Sequence, residues 1–127
     1  MHEVLIDTSA WVKFLREQID PASIRVEQLI LAGRAVLTGP VLTELLQGCK
    51  SEPEQWKLLR VMTPIRYAAV ARGDWTTAGD TLGRLRRQGV TLPLIDALIA
   101  TVARRNGLHV LTLDKHFQHL NVQLETV

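Results

Sequence analysis

Short apolar runs recur between segments of helical periodicity, and this alternation constrains the fold more than any other feature of the chain. Glu3 to Asp7 (EVLID), Ala35 to Thr38 (AVLT) and His109 to Leu113 (HVLTL) are too short for helices and read as strands, as do the weaker Ile65 to Ala69 and Val122 to Leu124. Strands that alternate with helices predict an α/β sandwich with a mostly parallel sheet.

The helical segments carry their own boundaries. Thr8 and Ser9 cap Ala10 to Glu17; Asp20-Pro21 opens a second helix that runs out at Gly33; Gly39-Pro40 opens a third through Gln47, closed by Gly48. Ser51 with Glu54 is a capping-box pair for a fourth helix to about Met62, stopped by Pro64. Asp74 to Arg87 reads as a polar-faced helix ended by Gly89, and Leu92-Pro93 begins another through Arg105, ended at Asn106-Gly107. No linker or repeat interrupts this order, so one domain over residues 1–127 is expected.

Composition excludes several classes. At 127 residues and 46% hydrophobic content the chain supports its own core, and the lone Cys49 cannot make an internal disulfide, which points to a reducing compartment. The N-terminal stretch lacks a basic leader pattern, and no run approaches the roughly 18 apolar residues of a membrane span, so a cytoplasmic protein is expected. The net charge of +2 permits a polyanionic partner without requiring one.

Four of the thirteen acidic residues stand alone in apolar surroundings. Asp7 is the only charge between Val4 and Val12, Glu44 the only one in Ala35 to Cys49, and Asp96 the only one from Val90 to Ala103; Asp114 closes LHVLTLD. A carboxylate is seldom buried without a partner or a cation, because leaving water costs several kcal/mol even after relaxation. On α-helical spacing Leu94, Ile95, Leu98, Ile99 and Val102 share one apolar face, while Asp96 falls with Ala100 and Ala103 on a stripe of small side chains that leaves it room. Asp7 and Asp114 end strands, where ligands of open α/β sheets bind. Taken singly each acid is also explained as a cap or an ion-pair partner. Jointly they point to a shared divalent cation, and oxygen ligands without Cys suit Mg²⁺ or Mn²⁺.

In order and spacing, LIDTSAWV, LTELLQG, LPLIDALIA and LTLDKHF resemble the blocks of PIN-domain ribonucleases, and more narrowly those of the VapC-type toxins of toxin-antitoxin pairs; the likeness spans nearly the whole chain. The resemblance implies a three-layer α/β/α domain and an Mg²⁺-dependent endoribonuclease site, with Mn²⁺ as a substitute. Asp7, Glu44, Asp96 and Asp114 fall on the family's acidic positions, with Asp7, Asp96 and Asp114 as metal ligands and Glu44 as ligand or base. Thr112 falls on its threonine, and Thr8 and Ser9 on its small hydroxyl residues. It further implies an RNA substrate, a cognate antitoxin protein whose C-terminal segment lies in a groove near the site, a homodimer, and a heterotetramer or larger assembly with that antitoxin. The departure is His116, where many relatives carry a second Asp; it is the one histidine retained as a candidate for substrate contact.

Two other functions compete. An RNA- or protein-binding module with weak or lost chemistry is kept open by His116, and an Asp-based phosphatase with Asp7 as nucleophile lacks the second Asp two residues on, since residue 9 is Ser. The arginines at 84, 86, 87, 104 and 105 are read equally as RNA-phosphate contacts or as solvated helix ends. Trp11 with Phe14, and Trp56 with Leu59, are expected to pack rather than stack on bases.

Overall fold

The computed structural model describes residues 2–127. Strands β1 (Val4–Ile6), β2 (Ala35–Leu37), β3 (Arg66–Tyr67) and β4 (His109–Leu111) form one sheet in the order β3-β2-β1-β4. Every pairing is parallel: Leu5 lies opposite Val36 on one side and Val110 on the other, and Val36 lies opposite Arg66. Parallel neighbours require crossovers. Here each crossover is a pair of helices: α1 (Thr8–Leu15) with α2 (Pro21–Leu31), α3 (Gly39–Gln47) with α4 (Glu52–Met62), and α5 (Arg72–Arg87) with α6 (Leu94–Arg105). The expected α/β/α architecture is the observed one.

The inner strands β1 and β2 are buried at every residue, which explains apolar runs without polar alternation. By contrast β3, at the sheet edge, exposes both Arg66 and Tyr67, and Arg66 pairs with Glu3. The first two crossovers step outward from β1, whereas the third returns the chain to its other side. The carboxyl ends of β1 and β4 therefore flank a topological switch point, where open α/β sheets form their crevices.

Local signals set most boundaries. Asp20 Oδ1 accepts from the Ser23 amide at 2.9 Å, Pro21 follows in the first turn, and Gly33 takes a φ of +69° after α2. Ser51 Oγ accepts from the Glu54 amide at 3.3 Å, but Glu54 Oε2 reaches back to the amide of Lys50 rather than Ser51, one residue beyond the reciprocal pair expected. Two further expectations are revised. The segment expected as a strand at Val122 to Leu124 makes a single bridge, Leu124 to Val110, preceded by a 3-10 turn over Lys115–His119. And α6 is buried at every residue from Asp96 to Ala103 while Leu94 is 51% exposed, because α3, α5 and β4 cover it on several sides and leave no single apolar face.

Asp74, which the sequence hides among polar neighbours, is 2% exposed. Its carboxylate forms a two-pronged pair with Arg105, Nε to Oδ1 and Nη2 to Oδ2 both at 2.8 Å, and Oδ2 also accepts from the Ala71 amide at 2.7 Å. The pair fastens α5 to α6. Arg105 hydrogen bonds hold the Asp74 carboxyl below its ordinary 3.8 against the opposing effect of burial. A depressed carboxyl stabilises the fold above its unfolded value and loses that contribution as pH falls through the folded one. Asp74→Asn is therefore expected to destabilise the protein by about 2 kcal/mol at neutral pH. In urea unfolding the difference from wild type should close on acidification below about pH 4.

Candidate functional site

Asp7 follows β1 directly and stands at the N-cap of α1, yet its side chain makes no capping bond. Its amide donates to the Leu111 carbonyl at 2.9 Å, continuing the ladder toward β4. The carboxylate turns to the same side: Oδ2 accepts from Thr112 Oγ1 at 2.8 Å and from Ser9 Oγ at 3.0 Å. Those hydroxyls in turn accept from the amides of Asp114, at 2.9 Å, and Leu113, at 3.0 Å. Each hydroxyl has one proton, and both protons go to Asp7, so the 3.4 Å approach of Ser9 to Thr112 is a contact of two oxygens rather than a bond. Burial pushes the Asp7 carboxyl above its ordinary 3.8, and Glu44 adds to the rise; bonds from Thr112, Ser9 and the Thr8 amide oppose it.

Asp96 lies in the first turn of α6 and is 7% exposed. Asp114 caps the 3-10 turn by accepting the His116 amide at 2.9 Å on Oδ1. The His116 ring faces both acids, with Nδ1 3.0 Å from Asp96 Oδ2 and 3.0 Å from Asp114 Oδ1. Phe117, 1% exposed, anchors this turn, and its burial contributes about 2 kcal/mol. Burial raises the Asp96 carboxyl to about 6; the His116 hydrogen bond opposes the rise, and the charges of Asp7 and Asp114 reinforce it. Among the described residues, Asp96, Asp114 and His116 are the one trio whose potential ligand atoms all lie within 4.8 Å of one another. Asp7 lies outside that trio but acts on Asp96 through its charge.

Glu44, half-buried on α3, accepts from Thr8 Oγ1 on Oε1 at 2.6 Å. The structure thus brings together the four acids, the three hydroxyl residues Thr8, Ser9 and Thr112, and His116. Asp7, Ser9, Thr112 and Asp114 are joined by hydrogen bonds, Asp96 and His116 adjoin them, and Thr8 brings in Glu44. The sequence placed His116 near substrate rather than among the potential ligand atoms, and the signal available was its position two residues beyond Asp114.

Other candidates fall elsewhere. Arg105 is committed to Asp74 and the Ala69 carbonyl, and Arg104 donates to the Asn121 carbonyl, whereas Arg84, Arg86 and Arg87 are exposed without ion pairs among the described residues. Trp11 is fully buried, edge-on to Phe14 at 6.2 Å, but Trp56 is 72% exposed and does not pack as expected. A groove of about 860 Å³ lies beside the acids rather than over them. Val12, Leu15, Ile24, Leu45 and Leu58 line it, and it reaches the site only at Glu44. Among the described residues no helix is long and apolar enough to cross a membrane.

A parallel sheet with acids from three segments converging at its switch point is the arrangement of a PIN domain, and the chain belongs to that family, whose model matches residues 4–123. Within it the chain belongs with the VapC ribonucleases. It is 31% identical over 118 residues to Ribonuclease VapC11 of Mycobacterium tuberculosis and to VapC ribonuclease Mb1587 of Mycobacterium bovis, covering 90% of this chain and 88% of each relative. Its fold is similar to that in VapBC2 from Rickettsia felis, solved with a promoter DNA fragment, at a TM-score of 0.79, 21% identity and 96% coverage of each chain. It is also similar to VapC20 of Mycobacterium tuberculosis, described as a sarcin-ricin loop cleaving toxin, at a TM-score of 0.72, 18% identity, and coverage of 98% of this chain and 99% of that one.

Proposed function

We propose that this protein is a divalent-metal-dependent endoribonuclease that acts as the toxin of a toxin-antitoxin pair. The observation that carries the reading is the convergence of Asp7, Asp96 and Asp114 at the β1/β4 switch point, where burial raises the carboxyls of Asp7 and Asp96 and the charges of Asp7 and Asp114 add to the rise at Asp96. The donor set fits a metal ion. Two carboxylates and an imidazole face one another, half-exposed His116 is the only side-chain cation partner of the carboxylates among the described residues, and a divalent ion relieves the repulsion that raises Asp96.

In this reading Asp96 and Asp114 hold the ion, with Asp7 beside them. Mg²⁺ or Mn²⁺, when bound, supplies Lewis acidity that activates water and offsets charge on a phosphodiester. The protein supplies position. Thr112 and Ser9 fix the Asp7 carboxylate by donating to one of its oxygens, Oδ2, and leave Oδ1 free of side-chain donors. Thr8 occupies Glu44 Oε1 in the same way, leaving Oε2 to accept a proton from the attacking water or to order it. The N-terminal ends of α1 and α6 meet at the crevice, and their dipoles favour the anions gathered there.

The partners follow from the same family assignment. An antitoxin segment fits the apolar groove that ends at Glu44, so that its occupancy blocks access to the acids. Homodimers, and heterotetramers or larger complexes with the antitoxin, are the assemblies this reading expects. With four acids assigned to the crevice, fifteen basic residues remain against nine acidic, a balance suited to holding RNA around a metal-loaded pocket. Incubating the purified protein with total cellular RNA in Mg²⁺, Mn²⁺ or EDTA, and mapping the ends, tests the proposal. Cuts at defined positions with either ion and none in EDTA are expected. Intact RNA under all three conditions, or equal cutting in EDTA, rejects it.

A further inference from the structure

His116 stands two residues past Asp114, and the fold aims its ring Nδ1 at two of the acids. We infer that His116 is a third ligand beside Asp96 and Asp114 and shifts the preference of the site from Mg²⁺ toward Mn²⁺. The inference rests on the proposed metal reading and assigns this chain's own departure a role within it.

The geometry is that of a chelate. Nδ1 lies 3.0 Å from one oxygen of each carboxylate, and all three donors lie within 4.8 Å of one another. Adjacent corners of an octahedron with ~2.1 Å bonds are about 3 Å apart, so little movement is needed for the three to share an ion. A single proton on Nδ1 divides poorly between two carboxylates, whereas a cation among the donors satisfies both. The turn that carries the ring is also held in place: the His116 amide is bonded to Asp114 Oδ1, and Phe117 next to it is buried. Its side chain is 46% exposed, which leaves the outer side of the trio open to water or a phosphate.

The donor chemistry sets the preference. Mg²⁺ is hard, demands near-ideal octahedral oxygen ligation and gives up water reluctantly. Imidazole is a softer donor that strengthens binding of transition metals, among which Mn²⁺ also accepts carboxylates and water. A carboxylate at this position favours Mg²⁺ by the same logic.

The test compares wild type with His116→Asp, both checked for folding by circular dichroism, by calorimetric titration with Mn²⁺ and with Mg²⁺ and by pulsed electron paramagnetic resonance of the Mn²⁺ complex. The ratio of Mn²⁺ to Mg²⁺ affinity is expected to fall about tenfold in the variant. A ¹⁴N coupling present in the wild type should disappear with it. Binding of Mn²⁺ without ¹⁴N coupling, or with an unchanged affinity ratio, overturns the inference and leaves His116 as an ion-pair partner in an intact metal site. Failure of wild type to bind either ion overturns the metal reading itself, and this inference with it.

Discussion

In the absence of metal at pH 7, Asp96→Asn is expected to unfold at a higher temperature than wild type. Asp96 sits in a buried first turn near two other carboxylates, which raises its pKa from 3.8 to about 6. A carboxyl raised in the folded state stabilises that state while protonated. The contribution is complete below pH 3.8 and is lost as pH rises through about 6, so at neutral pH the ionised group is a standing cost. At ~1.4 kcal/mol per pH unit the cost is at most about 3 kcal/mol, roughly 10 °C in midpoint for a domain of this size. The neutral amide removes it. The advantage of the variant should shrink below about pH 6 and vanish near 3.8, where wild type is itself neutral. Mg²⁺ or Mn²⁺ at about a thousand times its dissociation constant should reverse the order, since it adds about 4.1 kcal/mol to the wild type alone. Calorimetric or fluorescence melts with and without metal, across pH, provide the comparison.

The same substitution should abolish RNA cleavage, as should Asp7→Asn. Both keep side-chain shape and remove charge where a divalent ion is to be held. Outer contacts of metal ligands typically contribute 10- to 100-fold to affinity or activity, and a ligand itself contributes more. Cleavage should fall by well over ~100-fold in Asp7→Asn and Asp96→Asn, and by about 10- to 100-fold in Thr112→Val, which frees Asp7 from its 2.8 Å donor but spares its charge. Rates at saturating RNA, measured on variants with wild-type circular dichroism, distinguish the three. A Thr112→Val protein as impaired as Asp7→Asn would make the hydroxyl, rather than the carboxylate, the essential group.

Asp7 and Asp96 were legible because a lone charge in an apolar run has no local reason to be there, and the fold buries both. Asp74 was illegible for the converse reason: its neighbours are polar, and its burial comes from α6 and from Arg105, 31 residues away. Trp56 and Leu94 misled in the same way, since apolar character is local while coverage depends on which helices pack nearby. The strand order also follows from long-range pairing that no segment reports about itself. Family resemblance selected Ser9 and Thr112, but their common acceptor, Asp7 Oδ2, emerges only when β1 and β4 are side by side.

The central claim, that an ion held by this acidic crevice drives RNA cleavage, is tested most directly by returning Mg²⁺ or Mn²⁺ stepwise to EDTA-treated protein with one end-labelled RNA. Wild type should recover cleavage along a saturable curve at a fixed set of positions, and Asp96→Asn should recover none over the same range. Cleavage that persists in EDTA, or recovery that is equal in the two proteins, would contradict it.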